Sequence, residues 1–364
     1  MAEQGISLLY DVETIVDKPN DQVYAVINAV QEPTPPTPPA DPEVIVPIEP
    51  RTPPSGPKVN PRSKAILQGN LAGLMLLSRG ADQSLFAGIS DQNNKRGLKP
   101  FVIASGNHTR YDTGSHIKSD GALMSIGLSF QDEQLTSALY VEGGWDSYKT
   151  HNEFNDALRV KGSGHNRFSG LGAFAHYDFA NDWYIDAMVR GGRLHTNFET
   201  NDLINAATGE RAEYSIRTTY MGATLEGGYV LPVNAQNNLD LSAKYAWVGT
   251  KGKKEIVAGD PIHFKALESQ RVRLQALNQY KMNPEVTVLA GLGYEYEFNA
   301  KAKGTTYEIY DLDSPSLKGS TGLATLGMLY VPVNNDRFSM DLRGNGYFGK
   351  RDGASLTMKL EYEF

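Results

Sequence analysis

The chain has no cysteine, which excludes a disulfide framework and any thiolate metal site. That absence also suits a polypeptide that must cross an oxidising compartment unlinked. No stretch reaches 18 consecutive apolar residues, so no transmembrane helix is expected. Strands that alternate apolar and polar residues stay open, because a hydropathy average hides their apolar half. A net charge of -7 argues against nucleic acid as a partner. Serine-elbow, HExxH and phosphate-loop patterns are missing too, and with them the usual signatures of hydrolases and nucleotide enzymes. The opening Met1-Ala2-Glu3-Gln4 lacks the charged head and apolar run of a secretory signal. A membrane reading therefore expects these 364 residues to be part of something longer.

What is abundant is glycine (36) and tyrosine (19), a composition suited to a barrel wall with small lumen residues and interfacial rings. The last ten residues set the pattern. Leu356, Met358, Leu360, Tyr362 and Phe364 fall on one face; Ser355, Thr357, Lys359, Glu361 and Glu363 fall on the other. That is the period of two of a β-strand with one apolar and one wet side. Similar alternation recurs in twelve segments, at about 100–110, 118–131, 135–149, 164–178, 182–197, 214–231, 237–250, 262–279, 284–298, 318–331, 336–348 and 354–364. Their lengths reach the nine to eleven residues a tilted membrane strand requires. An even number permits antiparallel closure. Charges in mid-strand favour a hydrated lumen over the dry interior of a β-sandwich. The expected fold is all-β: a 12-stranded antiparallel transmembrane β-barrel with an N-terminal helix threaded through its lumen.

Four parts follow in order. Residues 1–30 hold two short apolar runs, read as a β stub that ends a larger domain. Residues 31–59 form a proline-rich spacer, since proline disfavours helix and sheet interiors. Residues 60–80 form a helix opened by Asn60 as cap and Pro61 at its first position. It carries Ile66, Asn70, Gly73 and Leu77 and ends at Gly80; Gly69 and Gly73 suit close passage along a surrounding wall. Residues 81–364 form the barrel. Turns near 133 and 181 are tight and the segments near 150–163, 198–213, 251–261 and 299–317 long and polar, matching short periplasmic turns and longer outer loops. This parity puts both barrel ends at the periplasmic mouth, so the helix runs from outside inward.

The order linker, slim helix, twelve strands and terminal aromatic resembles the translocator domain of a monomeric (type Va) autotransporter. The resemblance covers about residues 60–364. Leu77-Ser78-Arg79-Gly80-Ala81-Asp82 looks like the approach to the first strand. Met358, Leu360, Tyr362 and Phe364 look like the signal read by the barrel-assembly machinery. The resemblance implies an outer-membrane protein that sends its N-terminal passenger to the cell surface and anchors it there, without enzymatic activity in the barrel. It implies no cofactor and no metal. The implied partners are outer-membrane lipid and lipopolysaccharide, the assembly machinery, periplasmic chaperones and the passenger itself, with the barrel a monomer. Some members of the family cut themselves at a helix asparagine; Asn60 and Asn70 lack the Asn-Asn pair of that group. The passenger would decide whether the whole protein is an adhesin, a protease or an esterase.

Glu142, Asp186, Arg190, Arg217, Glu226, Arg271, Arg273, Asp341 and Arg343 are expected to face the helix as a salt-bridge network. Trp145, Tyr148, Trp183, Tyr184, Tyr245, Trp247, Tyr294, Tyr296, Tyr330 and Phe364 are expected in interfacial girdles. A porin or a surface adhesin barrel is the alternative, though neither explains a proline linker followed by a helix. An outer-membrane protease would need an Asp/His pair at the outer rim, from Asp146 or Asp112 and seven scattered histidines.

Overall fold

A computed structural model describes residues 2–10, 12–17, 22–27, 57–85, 97–335 and 337–364. Most of the expected linker lies outside the described residues. Twelve antiparallel strands close into a barrel: β1 (Gly97–Asp112), β2 (His116–Asp132), β3 (Leu135–Asn152), β4 (Val160–Asp178), β5 (Trp183–Ile204), β6 (Arg211–Asn234), β7 (Asn237–Thr250), β8 (Leu267–Lys281), β9 (Val286–Glu297), β10 (Gly319–Tyr330), β11 (Phe338–Gly349) and β12 (Arg351–Tyr362). The last strand pairs with the first, Met358 opposite Ala104 and Leu360 opposite Val102. Closure leaves no edge, which a membrane requires because an unpaired backbone group in hydrocarbon has no water to turn to.

Side-chain alternation sets the two faces. On β5, Trp183, Ile185 and Val189 are exposed while Tyr184, Asp186 and Arg190 are buried. On β12, Leu356, Met358, Tyr362 and, just beyond it, Phe364 point outward, with Leu360 partly exposed between them; Thr357, Lys359 and Glu361 are buried. An apolar exterior around a polar interior is stable in lipid and inverted for water.

Inside runs a one-turn 3₁₀ segment, Pro61–Ser63, continuing as helix α1 (Lys64–Leu85). The Asn60 side chain accepts from the Arg62 N–H at 3.0 Å, as a cap should. The helix does not end at Gly80 but continues to Leu85; the glycine is there because the Arg190 guanidinium occupies the space where a side chain at 80 would lie. Arg79 and Asp82 are thus helical residues and not the approach to the first strand, which begins only at Gly97.

Three more expectations change. The segment taken as the eighth strand from 262 is two elements. Asp260–Phe264 pairs with Lys253–Val257 in a separate four-stranded loop sheet with Gly304–Thr306 and Tyr310–Asp311, and the barrel strand starts at Leu267. Two connections on the long-loop side, after β1 and after β11, are tight. Tyr148 and Tyr184 are not girdle residues: each lies an odd number of positions from its outward tryptophan, and both are buried in the lumen.

The helix-filled lumen as candidate functional site

After Lys64 the upper half of α1 is largely apolar, with Gln68 and Asn70 the exceptions. Ala65, Ile66, Leu67, Leu71, Ala72, Leu74, Met75 and Leu76 are fully buried. They pack in one cluster with the wall residues Tyr148, Leu194, Phe198, Tyr214 and Ile216 and with Phe264 of the loop sheet. Such a helix belongs inside a protein, not on its surface. The glycines make the fit possible. A side chain at Gly69 would begin 2.4 Å from the Tyr214 hydroxyl and 2.9 Å from Cβ of Phe198, and one at Gly73 would begin 2.6 Å from Thr196 Oγ1. Polar contacts stitch the collar: the Tyr214 hydroxyl donates to the Ile66 carbonyl at 2.8 Å, and Gln68 bridges Thr113 and Asn152. Asn70 is buried in the same stretch.

Below Leu76 the contacts turn ionic. Arg79 reaches Asp146 at 2.6 Å, and Asp146 also accepts from Ser119 and Asn166. Arg190 pairs with Glu142 at 3.1 Å and donates to the helix carbonyl of Leu77 at 3.0 Å. Arg271 donates to the Ser78 carbonyl at 2.8 Å. Asp82 faces Arg273 at 3.0 Å, Arg271 at 3.4 Å and Arg351 at 3.5 Å, and Glu295 completes the cluster 2.6 Å from Arg273. Every carboxylate here meets a cation or a donor, without which burial would be prohibitive. Beside this end of the helix a polar cavity of about 80 Å³ remains, lined by Lys244, Arg273, Arg343 and Arg351 against Asp82 and Glu226.

Of the lumen charges expected from sequence, Glu142, Arg190, Arg271 and Arg273 stand in this network. Asp186 and Glu226 are buried but meet other wall residues, His176 at 2.5 Å and Lys244 at 3.7 Å. Asp341 and Arg343 pair with each other at 2.6 Å. Arg217 is not a lumen residue. It is exposed on the outer wall, because on β6 the inward positions are even-numbered, such as Tyr214, Ile216 and Tyr220. Sequence reasoning missed the pairing of Arg79, a residue inside the expected helix, together with Asp82, left out by ending the helix at Gly80, and Arg351, excluded by starting the last strand at 354. The parity of Thr357, Lys359 and Glu361, continued back, places Arg351 inside.

The outer mouth has its own closure. The Ile6 and Ser7 N–H groups each donate at 2.9 Å to one oxygen of Asp260 in the loop sheet, and the Ser7 hydroxyl also donates to it. The Tyr307 hydroxyl donates to the other oxygen at 3.1 Å; burial first and the Asp260 charge second push the Tyr307 pKa up. Leu8 pairs with Val59 just before the helix, and Asn60 donates to the Ile6 carbonyl at 3.1 Å. The Asp/His pair that an outer-membrane protease would need does not form at Asp146, whose partners are Arg79, Ser119 and Asn166; His108 does pair with Asp120, both exposed on the outer wall. Asp112 accepts from the Gly114 N–H. Among the described residues no group of histidine, aspartate and glutamate is arranged to hold a metal.

A family model described as the Autotransporter beta-domain matches residues 155–345. No curated protein matches the chain. Among solved structures it is similar to the translocator domain of the autotransporter NalP from Neisseria meningitidis. The identity is 16%, with 81% of this chain and 98% of that one covered at a TM-score of 0.61. It is also similar to the transport unit of AIDA-I from Escherichia coli, at 13% identity with 84% of this chain and 100% of that one covered and a TM-score of 0.55. The beta domain of the Bordetella autotransporter BrkA gives 13% identity, 74% and 100% coverage and a TM-score of 0.54. At such identities the structures speak for the fold, and the family model, which spans more than half of the chain, speaks for descent. This closed barrel with a helix in its lumen belongs to the autotransporter β-domain family, the outer-membrane translocators of Gram-negative bacteria.

Proposed function

We propose that the chain is a translocator held in its plugged state, with α1 left in the pore as the tether of a passenger at the cell surface. The observation that carries this reading is the pairing of Arg79 with Asp146 and of Asp82 with three wall arginines. A helix merely stored in a pore would not need matched buried charges on both partners. The apolar collar excludes water, and the ionic half fixes depth and rotation. In this reading 31–59 is the spacer between surface and pore, and 1–30 the end of the passenger. Periplasmic chaperones deliver the chain, the assembly machinery reads Met358, Leu360, Tyr362 and Phe364, and the barrel works as a monomer. Passenger folding outside, with the assembly machinery, supplies the drive.

Single-channel conductance in a planar bilayer tests it. The full chain is expected to give small, noisy currents, and a chain lacking residues 1–85 large open ones. Equal, large and steady currents from both would make the protein a porin.

A further inference from the structure

The outer wall carries a second charge pattern, and it faces lipid. Arg167, Arg193, Arg217 and Lys251 are all exposed on the outside of neighbouring strands β4 to β7 or just past their ends. Register brings them together. Arg167 on β4 and Arg217 on β6 both sit opposite His195 on β5. Arg193 lies one outward position below His195 on the same strand, and Lys251 follows the end of β7, its N–H bonded to the Thr219 carbonyl beside Arg193. The Arg167 Nε–H donates to His195 Nδ1 at 3.1 Å, and the other ring nitrogen meets the Ser215 hydroxyl at 2.8 Å, which holds the imidazole between the two arginine strands. Together they border a cleft of about 640 Å³.

Their height follows from the strand. Trp183 marks the inner girdle of β5, and ten residues separate it from Arg193. At about 3.3 Å per residue and a tilt near 40°, that is about 25 Å, the height of the apolar band of such barrels. Directly below the cations lie the exposed Leu171, Val189 and Met221. The cluster therefore stands at the outer-leaflet headgroups. Cations are tolerated at that depth and are drawn to anionic headgroups. Among the described residues none of the four has an ion-pair partner; the acids higher on the same wall, Glu199 and Glu213, are taken by Arg211. Glu268, beside Lys251, accepts from Trp247 and Asn299. A further row, Arg110, Lys118 and Lys149, crosses β1 to β3 at the outer rim. On the opposite arc, β8 to β12, the same level shows Gln270, Phe298, Ser320, Phe348 and Asp352; its lysines, Lys318 just before β10 and Lys350 between β11 and β12, do not form a cluster of four, and Lys350 faces Asp112 at 3.8 Å.

We propose that Arg167, Arg193, Arg217 and Lys251 bind the phosphate groups of a phosphorylated glycolipid of the outer leaflet, lipopolysaccharide in chemical class. Arginine forks match phosphate oxygens in pairs, and lysine adds an unconstrained charge. The acyl chains would lie along Leu171, Val189 and Met221. The proposal rests on the outer-membrane placement but not on export.

The test is binding of fluorescent lipopolysaccharide to the purified full-length chain in neutral detergent, beside the same lipid stripped of its phosphates. The variant R167Q/R193Q/R217Q/K251Q is compared with K253Q/K254Q/K265Q/K281Q, which makes the same charge change at lysines that do not line the cleft. Mobility of unheated samples on a gel verifies that both barrels are closed. The first variant is expected to bind at least about tenfold more weakly and the second to match the parent, as each basic residue near an anionic surface contributes appreciably. The parent should bind the stripped lipid as weakly as the first variant does. Equal binding by parent and first variant, or indifference to the phosphates, overturns the proposal. Displacement by inorganic phosphate at the same molar concentration as the lipid overturns the lipid source in favour of a free-anion site. Surface display of an N-terminal tag on cells is read separately, so its failure would count against the translocator reading alone.

Discussion

The two halves of α1 are held by opposite kinds of contact, and each half lacks what the other has. From Ala65 to Leu76 the helix meets leucines and aromatic rings, with glycines wherever the wall comes closest. From Leu77 to Gln83 it meets guanidinium groups and carboxylates, with a polar cavity alongside. Apolar packing is non-directional and seals, but lets a helix slip or rotate by a residue at little cost. Buried ion pairs contribute little net stability against an apolar replacement, yet lose much when one partner is removed. The collar therefore closes the pore and the charges set the register.

Breaking one partner in the ionic half should have the largest effect. Arg79→Met leaves Asp146 buried without its cation and should loosen helix seating by about 3–5 kcal/mol. Hydrogen exchange at the amides of α1 would read this as a sharp loss of protection. The double variant Arg79→Met, Asp146→Leu should recover most of it; failure to recover would mean that the pair is a net source of stability and not a device for register. In the collar, Gly69→Leu forces a side chain against Tyr214, Tyr148 and Phe198 and should cost about 1–3 kcal/mol. Larger and more frequent openings in single-channel records would follow. Gly80→Ala sharpens the contrast: its methyl would press on the Arg190 guanidinium held by Glu142 and the Leu77 carbonyl, so it should lower exchange protection around Leu77 without the larger openings expected of Gly69→Leu. The smallest change is Tyr214→Phe, which removes one hydrogen bond to the Ile66 carbonyl at about 0.5–1.5 kcal/mol. Conductance there should stay near the parent's, with a modest rise in exchange at the top of the helix.

Which residues face lipid was legible because period-two alternation is local: a residue and its neighbour must point to opposite sides of the wall. Trp145, Trp183 and Leu356 could be assigned outward from their neighbours alone, and continued parity would have placed Tyr148, Tyr184, Arg217 and Arg351 correctly as well. The helix was legible from its cap and its apolar run, but its end was not. Gly80 reads as a stop in isolation, and only the Arg190 side chain filling the adjacent space gives that glycine a different cause. The loop sheet from Lys253 to Asp311 was hidden for a related reason. Its strands are short and joined across more than forty residues, so no local pattern marks their pairing.

The amino-acid order by itself determined the wall: strand number, inward and outward faces, closure and the presence of a slim helix all follow from neighbour-to-neighbour chemistry. Tertiary structure decided who meets whom across the lumen. Asp82 gains Arg271, Arg273 and Arg351 from strands about two hundred residues away or more, and Asp260 gains Ile6 and Ser7 from the far end of the chain. Such partners are chosen by barrel circumference and helix depth, quantities that exist only once the twelve strands have closed.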